Sequence, residues 1–166
     1  MKAVVVTDAG VQIQDVPTPS PKPNEVLVRV RACGLNRADL MVASGMAHGR
    51  AGGAGTIVGL EFVGEVAEMG VEAKAESGLS VGDRVMCGGA SGWAEYAVAD
   101  WGRAAKIPDA NVSWNEAATL GTALKAGVDG KLLDKAEERL AALEEAAKKK
   151  AEEEERKRKE AEERAK

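Results

Sequence analysis

Cys33-Gly34-Leu35-Asn36-Arg37-Ala38-Asp39-Leu40, read with Gly59-Leu60-Glu61-Phe62-Val63-Gly64, decides the fold. The segment that leads into the first stretch, Glu25 to Cys33, places Val26, Val28, Val30 and Ala32 on one side and Leu27, Arg29 and Arg31 on the other. That is the period of a half-buried strand. It runs straight into Gly34. Asn36 has Asp39 three places on, a variant of the capping box, so a short helix is predicted from Asn36 to about Ser44, stopped by Gly45. The polar groups of Asn36, Arg37 and Asp39 then stand at a strand-to-helix corner, where a ligand reaches them.

The second stretch opens a strand from Leu60 to Met69, with Phe62, Gly64 and Val66 on one side and Val63 and Ala67 on the other, so burial on both faces is predicted. Glu61 stands at its start. A carboxylate taken out of water there needs a partner, because desolvation alone raises its pKa or destabilises the fold. A strand-end glutamate in water is the other reading, and the residues leave both open.

Outward from these stretches, Lys2 to Val6 and Val11 to Val16 read as two strands paired across Asp8-Ala9-Gly10. Pro17, Pro19, Pro21 and Pro23 hold an extended connection that cannot enter a sheet interior. Gly45 to Gly55 is a glycine-laden loop, read as a lid at the mouth of a cleft. Its Gly53-x-Gly55-x-x-x-Gly59 spacing is not that of a dinucleotide fingerprint, and a strand rather than a helix follows, which argues against phosphate binding there. His48, the sole histidine, is either a solvated loop side chain or a proton donor near the cleft. Glu72 to Leu79 reads as a polar connection, Val81 to Cys87 as a turn and strand, and Trp93 to Ala99 as a strand forming a second long hairpin with it. Ala104 to Pro108 is a last short strand. Ser113 with Glu116 is a capping box, opening a helix whose stripe is Ala117, Leu120 and Leu124, ending at Gly127.

The runs ACGLNRADL, GLEFVGEV, Val81-Gly82-Asp83-Arg84-Val85, Gly92-Trp93-Ala94-Glu95-Tyr96 and Asn115-Glu116-Ala117-Ala118-Thr119-Leu120 resemble, in order and approximate spacing, the medium-chain dehydrogenase/reductase superfamily in its zinc-free quinone oxidoreductase or enone reductase branch. The resemblance covers residues 1 to about 124. It implies an α+β fold, mainly β with helices: a GroES-like, partly open β-barrel that is the substrate-side domain of those enzymes. Where the zinc-dependent branch has a cysteine and a histidine ligand, this chain has Asn36 and Leu60, and neither side chain replaces a thiolate or an imidazole. No metal is expected. The resemblance further implies NADPH as cofactor and a small quinone or enone as substrate. It carries Asn36 over as the group that polarises the substrate carbonyl or meets the nicotinamide. Asp39 joins it as a catalytic candidate, and Glu61 becomes a buried structural acid beside the site. Met41 stands where a tyrosine is often found, so its contact with the cofactor would be that of a thioether.

Composition sets limits. At 166 residues and 45% apolar content, the chain supports one core and an appendage: residues 1–126 as the catalytic-type domain and residues 127–166 as a turn and tail. The tail balances its basic and acidic residues, so the net charge of −4 lies in the front, and no basic face stands ready for nucleic acid. Two cysteines make neither a disulfide framework nor a metal pair, no membrane span or signal peptide is visible, and a cytoplasmic setting is expected.

After Gly127-Val-Asp-Gly130 comes no Rossmann domain. A long helix rich in Ala, Glu, Lys, Leu and Arg is predicted instead, with an engineered look. Leu133, Ala136, Leu140, Leu143 and Ala147 make a short apolar seam. Beyond it, Glu152 to Glu155 meet Arg156 to Lys159 at i,i+4, contributing about 1–2 kcal/mol in all, in the orientation that suits the helix dipole. Leu133, Leu140 and Leu143 are expected either to dock on the barrel or to pair two copies. Three functions are compatible with this sequence: a reductase domain with little or no turnover on its own, a minimal NADPH-dependent reductase, and a structural or assembly protein with the helix as spacer.

Overall fold

A computed structural model describes residues 1–47, 52–107 and 111–119. His48, Pro108, Leu120, Leu124 and the seam residues Leu133, Leu140 and Leu143, with the whole predicted tail helix, lie outside the described residues.

The chain opens with a hairpin, β1 (Lys2–Thr7) and β2 (Gly10–Asp15), antiparallel with Thr7 opposite Gly10. The proline-marked stretch leads to β3 (Glu25–Cys33), then α1 (Arg37–Ala43), β4 (Glu61–Met69), α2 (Val71–Glu76), β5 (Arg84–Gly88), β6 (Tyr96–Asp100), β7 (Ala104–Lys106) and α3 (Trp114–Ala118). Strands β3 to β7 make one sheet, in the order β6-β3-β4-β5-β7, with antiparallel neighbours. The result is a mixed α/β domain dominated by a curled half-barrel of strands.

The sheet curls around a core of Val26, Val28, Phe62, Val66, Val85, Cys87, Ala97 and Ala99, joined by Ala73 of α2 and Leu79. β3 fits its alternating pattern towards the far end, where Arg29 and Arg31 are exposed, but Leu27 is buried as well. Two irregularities in the β3–β4 register, at Leu27/Val28 and Val30/Ala32, bend the ribbon there. β4 is buried on both faces only over Glu61–Gly64 and emerges into water towards Glu68. A second cluster, Val6, Val42 and Val58 with Val4, Ala43 and Trp93, fixes the hairpin and α1 to the barrel. Backbone bonds from the Val4 N–H to Trp93 O (2.8 Å) and from the Val58 N–H to Val4 O (3.1 Å) tie β1 to the segments that precede β6 and β4.

Two sequence expectations fail. β5 and β6 do not form a hairpin: β5 pairs with β4 and β7, and β6 with β3, on the opposite side of the sheet. After β5 the backbone bonds to the residues before β4 instead, through Gly89 N–H to Leu60 O, Gly92 N–H to Gly59 O and Trp93 N–H to Val58 O, at 2.8–3.0 Å. The chain is thereby led across the end of β4. Gly59, at φ +109, is needed at this crossing, because a Cβ there would overlap the Trp93 backbone and ring. The stretch after β4 also begins as a helix, α2, rather than a connection. No side chain caps it; the N–H groups of Glu72 and Ala73 donate to Pro23 O, both at 2.9 Å, so a distant carbonyl organises the turn.

Candidate functional site

The corner between β3 and α1 forms as the sequence implies. Asn36 is the N-cap of α1 with extended backbone, and Ser44 ends the helix before Gly45 at φ +82. The Asn36 N–H donates to Asp39 Oδ2 at 2.8 Å, which satisfies one of the orphan donors at the helix start. Asp39 is only 1% exposed, and its Oδ1 has no hydrogen-bond partner among the described residues.

Glu61 is buried at the first position of β4, directly after the turn that brings β4 beside β3. Asn36 Nδ2 donates to Glu61 Oε1 at 2.7 Å, joining residues 25 positions apart. Of the two sequence readings of Glu61, the partnered buried acid is the one the geometry holds. Gly34 makes this possible. A Cβ on Gly34 would overlap the Glu61 carboxyl group, so the glycine is required for space rather than for an unusual φ. Trp93 Nε1 donates to Gly34 O at 3.4 Å and packs on the Val6–Val42–Val58 cluster, bracing the corner from outside.

Around this corner lies a cleft of about 520 Å³, lined by Ala32, Cys33, Gly34, Leu35, Asn36, Glu61, Asn115, Ala118 and Thr119. The end of β3, the corner from Gly34 to Asn36 and Glu61 of β4 supply one wall, and α3 with its C-cap Thr119 the other. α3 presents Asn115, Ala118 and Thr119, at i, i+3 and i+4, on a single face. It is held there by its own capping box, Ser113 with Glu116, and by Arg84, whose guanidinium lies 4.2 Å over the Trp114 ring.

The candidates therefore divide. Asn36 and Glu61 line the cleft and touch each other. Asp39 does not line it and holds the start of α1 instead. Met41 is on α1 with 39% of its surface exposed and is not among the lining residues. Cys33, Asn115 and Thr119 were not singled out from the sequence. The Asn115–Thr119 spacing on a capped helix was visible there, but nothing local shows that this face turns towards Asn36.

Burial pushes the half-buried Cys33 thiol above its ordinary range, and the negative charges of Asp39 and Glu61 add to the shift. Cys87, inside the core, is pushed up to about 12 by burial. Both stay protonated at neutral pH, and Cys33 offers the cleft a neutral thiol, not a thiolate. Among the described residues, no group of three His, Cys, Asp or Glu side chains is placed to hold a metal ion.

The lining also bears on a dinucleotide. Its amides, hydroxyl and apolar floor suit an uncharged ring bearing a carboxamide or carbonyl. Among the described residues that line it there is no lysine, arginine or histidine, and Glu61 is one of them, so these residues do not fit a pyrophosphate. These residues fit the nicotinamide end of NADPH and not its phosphates.

Half-barrel and cleft together define the class: the N-terminal GroES-like domain of the medium-chain dehydrogenases and reductases. The chain belongs to the alcohol dehydrogenase GroES-like domain family, which it matches over residues 22–109. It is 34% identical over 116 residues to a trans-enoyl reductase of Xenoacremonium sinensis, a match covering 64% of this chain and 30% of that protein. A trans-enoyl reductase of Pyricularia oryzae is 35% identical over 132 residues, covering 72% and 35%. Among solved structures, a mycobacterial quinone oxidoreductase superimposes with a TM-score of 0.65 at 30% identity, over 78% of this chain and 41% of that one. A mycobacterial protein solved in complex with NADPH gives 0.64 at 29%, over 79% and 42%. The chain thus spans about a third of the curated relatives' length and corresponds to their N-terminal part.

Proposed function

We propose that this chain is the substrate-side domain of an NADPH-dependent enone or quinone reductase, with little or no turnover on its own. The observation that carries the reading is the Asn36–Glu61 pair in a cleft that fits an uncharged conjugated carbonyl compound. Asn36 presents its amide to the carbonyl oxygen, and Glu61 fixes the amide's orientation so that no reorganisation is needed when negative charge develops on that oxygen. The buried charges of Asp39 and Glu61 disfavour anionic substrates and leave neutral enones and quinones. Leu35, Ala32 and Ala118 supply the apolar part of the lining against which the carbon skeleton would lie. When bound, NADPH supplies a hydride; Asn36, Asn115 and Thr119 are the residues of this chain that would hold its nicotinamide end, and its phosphates need groups from elsewhere. Met41 would then touch the cofactor only if the exposed side of α1 were covered. The setting proposed is cytoplasmic.

A second reading treats the protein as an assembly element, with residues 127–166 as a charged helical spacer; the run of i,i+4 Glu-to-Lys/Arg pairs supports it. A third is a minimal reductase. The test is NADPH oxidation with a panel of quinones and enones, with Asn36→Ala as control and substrate binding followed in the same samples. Binding without turnover, weakened in Asn36→Ala, is expected. Saturable turnover lost in that variant would make the chain a minimal reductase, and absence of both binding and turnover would leave the assembly reading.

A further inference from the structure

The outer edge of the N-terminal hairpin does not resemble a protected sheet edge. In β1, the Val4 N–H is spent on Trp93 O and the Val6 N–H on Thr56 O, so the backbones of Val4 and Val6 face away from β2. Their cross-strand partners are Ile13 and Val11. In an antiparallel pair such residues make no bonds to each other, so the N–H and C=O groups of Val11 and Ile13 point to the free edge. The side chains of non-bonded pairs stand close together on one face. Val11 and Ile13 therefore continue the Val4–Val6 apolar face outward, yet they are 43% and 73% exposed. Edge strands are normally blunted by lysine, proline or a bulge. From Gly10 to Gln14, β2 has none of these and no charge.

We propose that β2 pairs edge to edge with β2 of a second copy, forming a two-fold β1-β2-β2-β1 sheet. The strand is complementary to itself in one antiparallel register centred on Gln12. Val11 then faces Ile13 of the other copy, twice, in bonded pairs that use the outward N–H and C=O groups and make four backbone hydrogen bonds. All four side chains fall on the apolar face, which becomes the continuous rows Val4–Ile13–Val11–Val6 and Val6–Val11–Ile13–Val4. On the other face Gln12 meets Gln12. Asp15, which already holds Lys2 at 3.1 Å, falls opposite Ala9, so no like charges oppose each other. The contact consumes both free edges, so it closes as a dimer and does not propagate into a fibre. It is smaller than the roughly 1,200 Å² of a stable specific interface, so association is weak.

The test is mass by light scattering across a concentration series, with amide hydrogen exchange on the same samples. The mass is expected to rise from 17.3 kDa towards twice that value between about 10 μM and 1 mM, the range of a small interface. The amides of Val11 and Ile13, open at low concentration, gain protection as the mass rises, while those of Gln12 and Gln14, bonded to β1, are protected throughout. Ile13→Lys, at an exposed position that leaves folding intact, abolishes the rise, and Leu140→Glu does not. A mass fixed at the monomer value overturns the proposal. So does a rise that survives Ile13→Lys or comes without protection at Val11 and Ile13.

Discussion

The helices at Arg37–Ala43 and Trp114–Ala118 both follow a polar residue with an acid three positions on, but they use that device differently. Before α3 the device closes on itself: Ser113 Oγ accepts from the Glu116 N–H at 3.2 Å, and Glu116 Oε2 accepts from the Ser113 N–H at 2.9 Å, at the surface. At α1 the acid is buried, and the N-cap side chain reaches Glu61, a residue 25 positions away. A third copy, Ser80 with Asp83, begins no helix. Its acid accepts the Ser80 N–H at 2.9 Å and turns the chain into β5. Local capping thus marks where a chain turns, and only a long-range partner makes a turn into a site.

Crowding at Gly34 gives the largest expected effect. Gly34→Ala forces its new methyl into the Glu61 carboxyl group, and a loss of about 3 kcal/mol in denaturant unfolding is expected, at the upper end for overpacking. Wild-type stability in this variant would mean that Glu61 is not seated against the corner. Next, Asp39→Ala removes the buried acceptor of the Asn36 N–H, with an expected cost of about 2 kcal/mol. Glu116→Ala, the same lesion in the exposed box, is expected to cost about 1 kcal/mol. Equal losses in these two variants would erase the distinction between the helices.

How much of this was legible in the sequence follows the same division. β3, α1, β4 and the hairpin were readable because alternation, a cap and a glycine-marked turn are local signals, although the turn closes over Asp8 and Ala9 alone, with Gly10 already paired to Thr7. The sheet order was not: whether β5 returns onto itself or crosses to β3 depends on backbone bonds between Gly89–Trp93 and Val58–Leu60. α2 was missed because its start is set by the Pro23 carbonyl. At the site, Asn36 and Glu61 were readable as candidates, but their contact was not. The cleft faces of Cys33, Asn115 and Thr119 were invisible because α3 meets β3 and β4 across a large sequence distance.

The smallest effect concerns Asp83. Its hydrogen bond to Lys106, with Nζ–Oδ1 at 2.8 Å, holds its carboxyl below the ordinary value of 3.8. A depressed carboxylate contributes stability that is complete above that value and lost as pH falls through the lower, folded one. Lys106 is mostly exposed and solvent screens the pair, so Asp83→Asn is expected to cost under about 1 kcal/mol at neutral pH and to flatten the acid limb below pH 3.8. An unchanged acid limb would remove Asp83 from the comparison.

The substrate cleft at the α1 corner is tested most directly by following side-chain amide resonances while a neutral enone or quinone is titrated into the protein. Saturable shifts at Asn36 and Asn115, weakened in Glu61→Ala while the fold is retained, are expected. Shifts confined to other surfaces, or none at saturating ligand, would contradict the assignment of this corner as the substrate site.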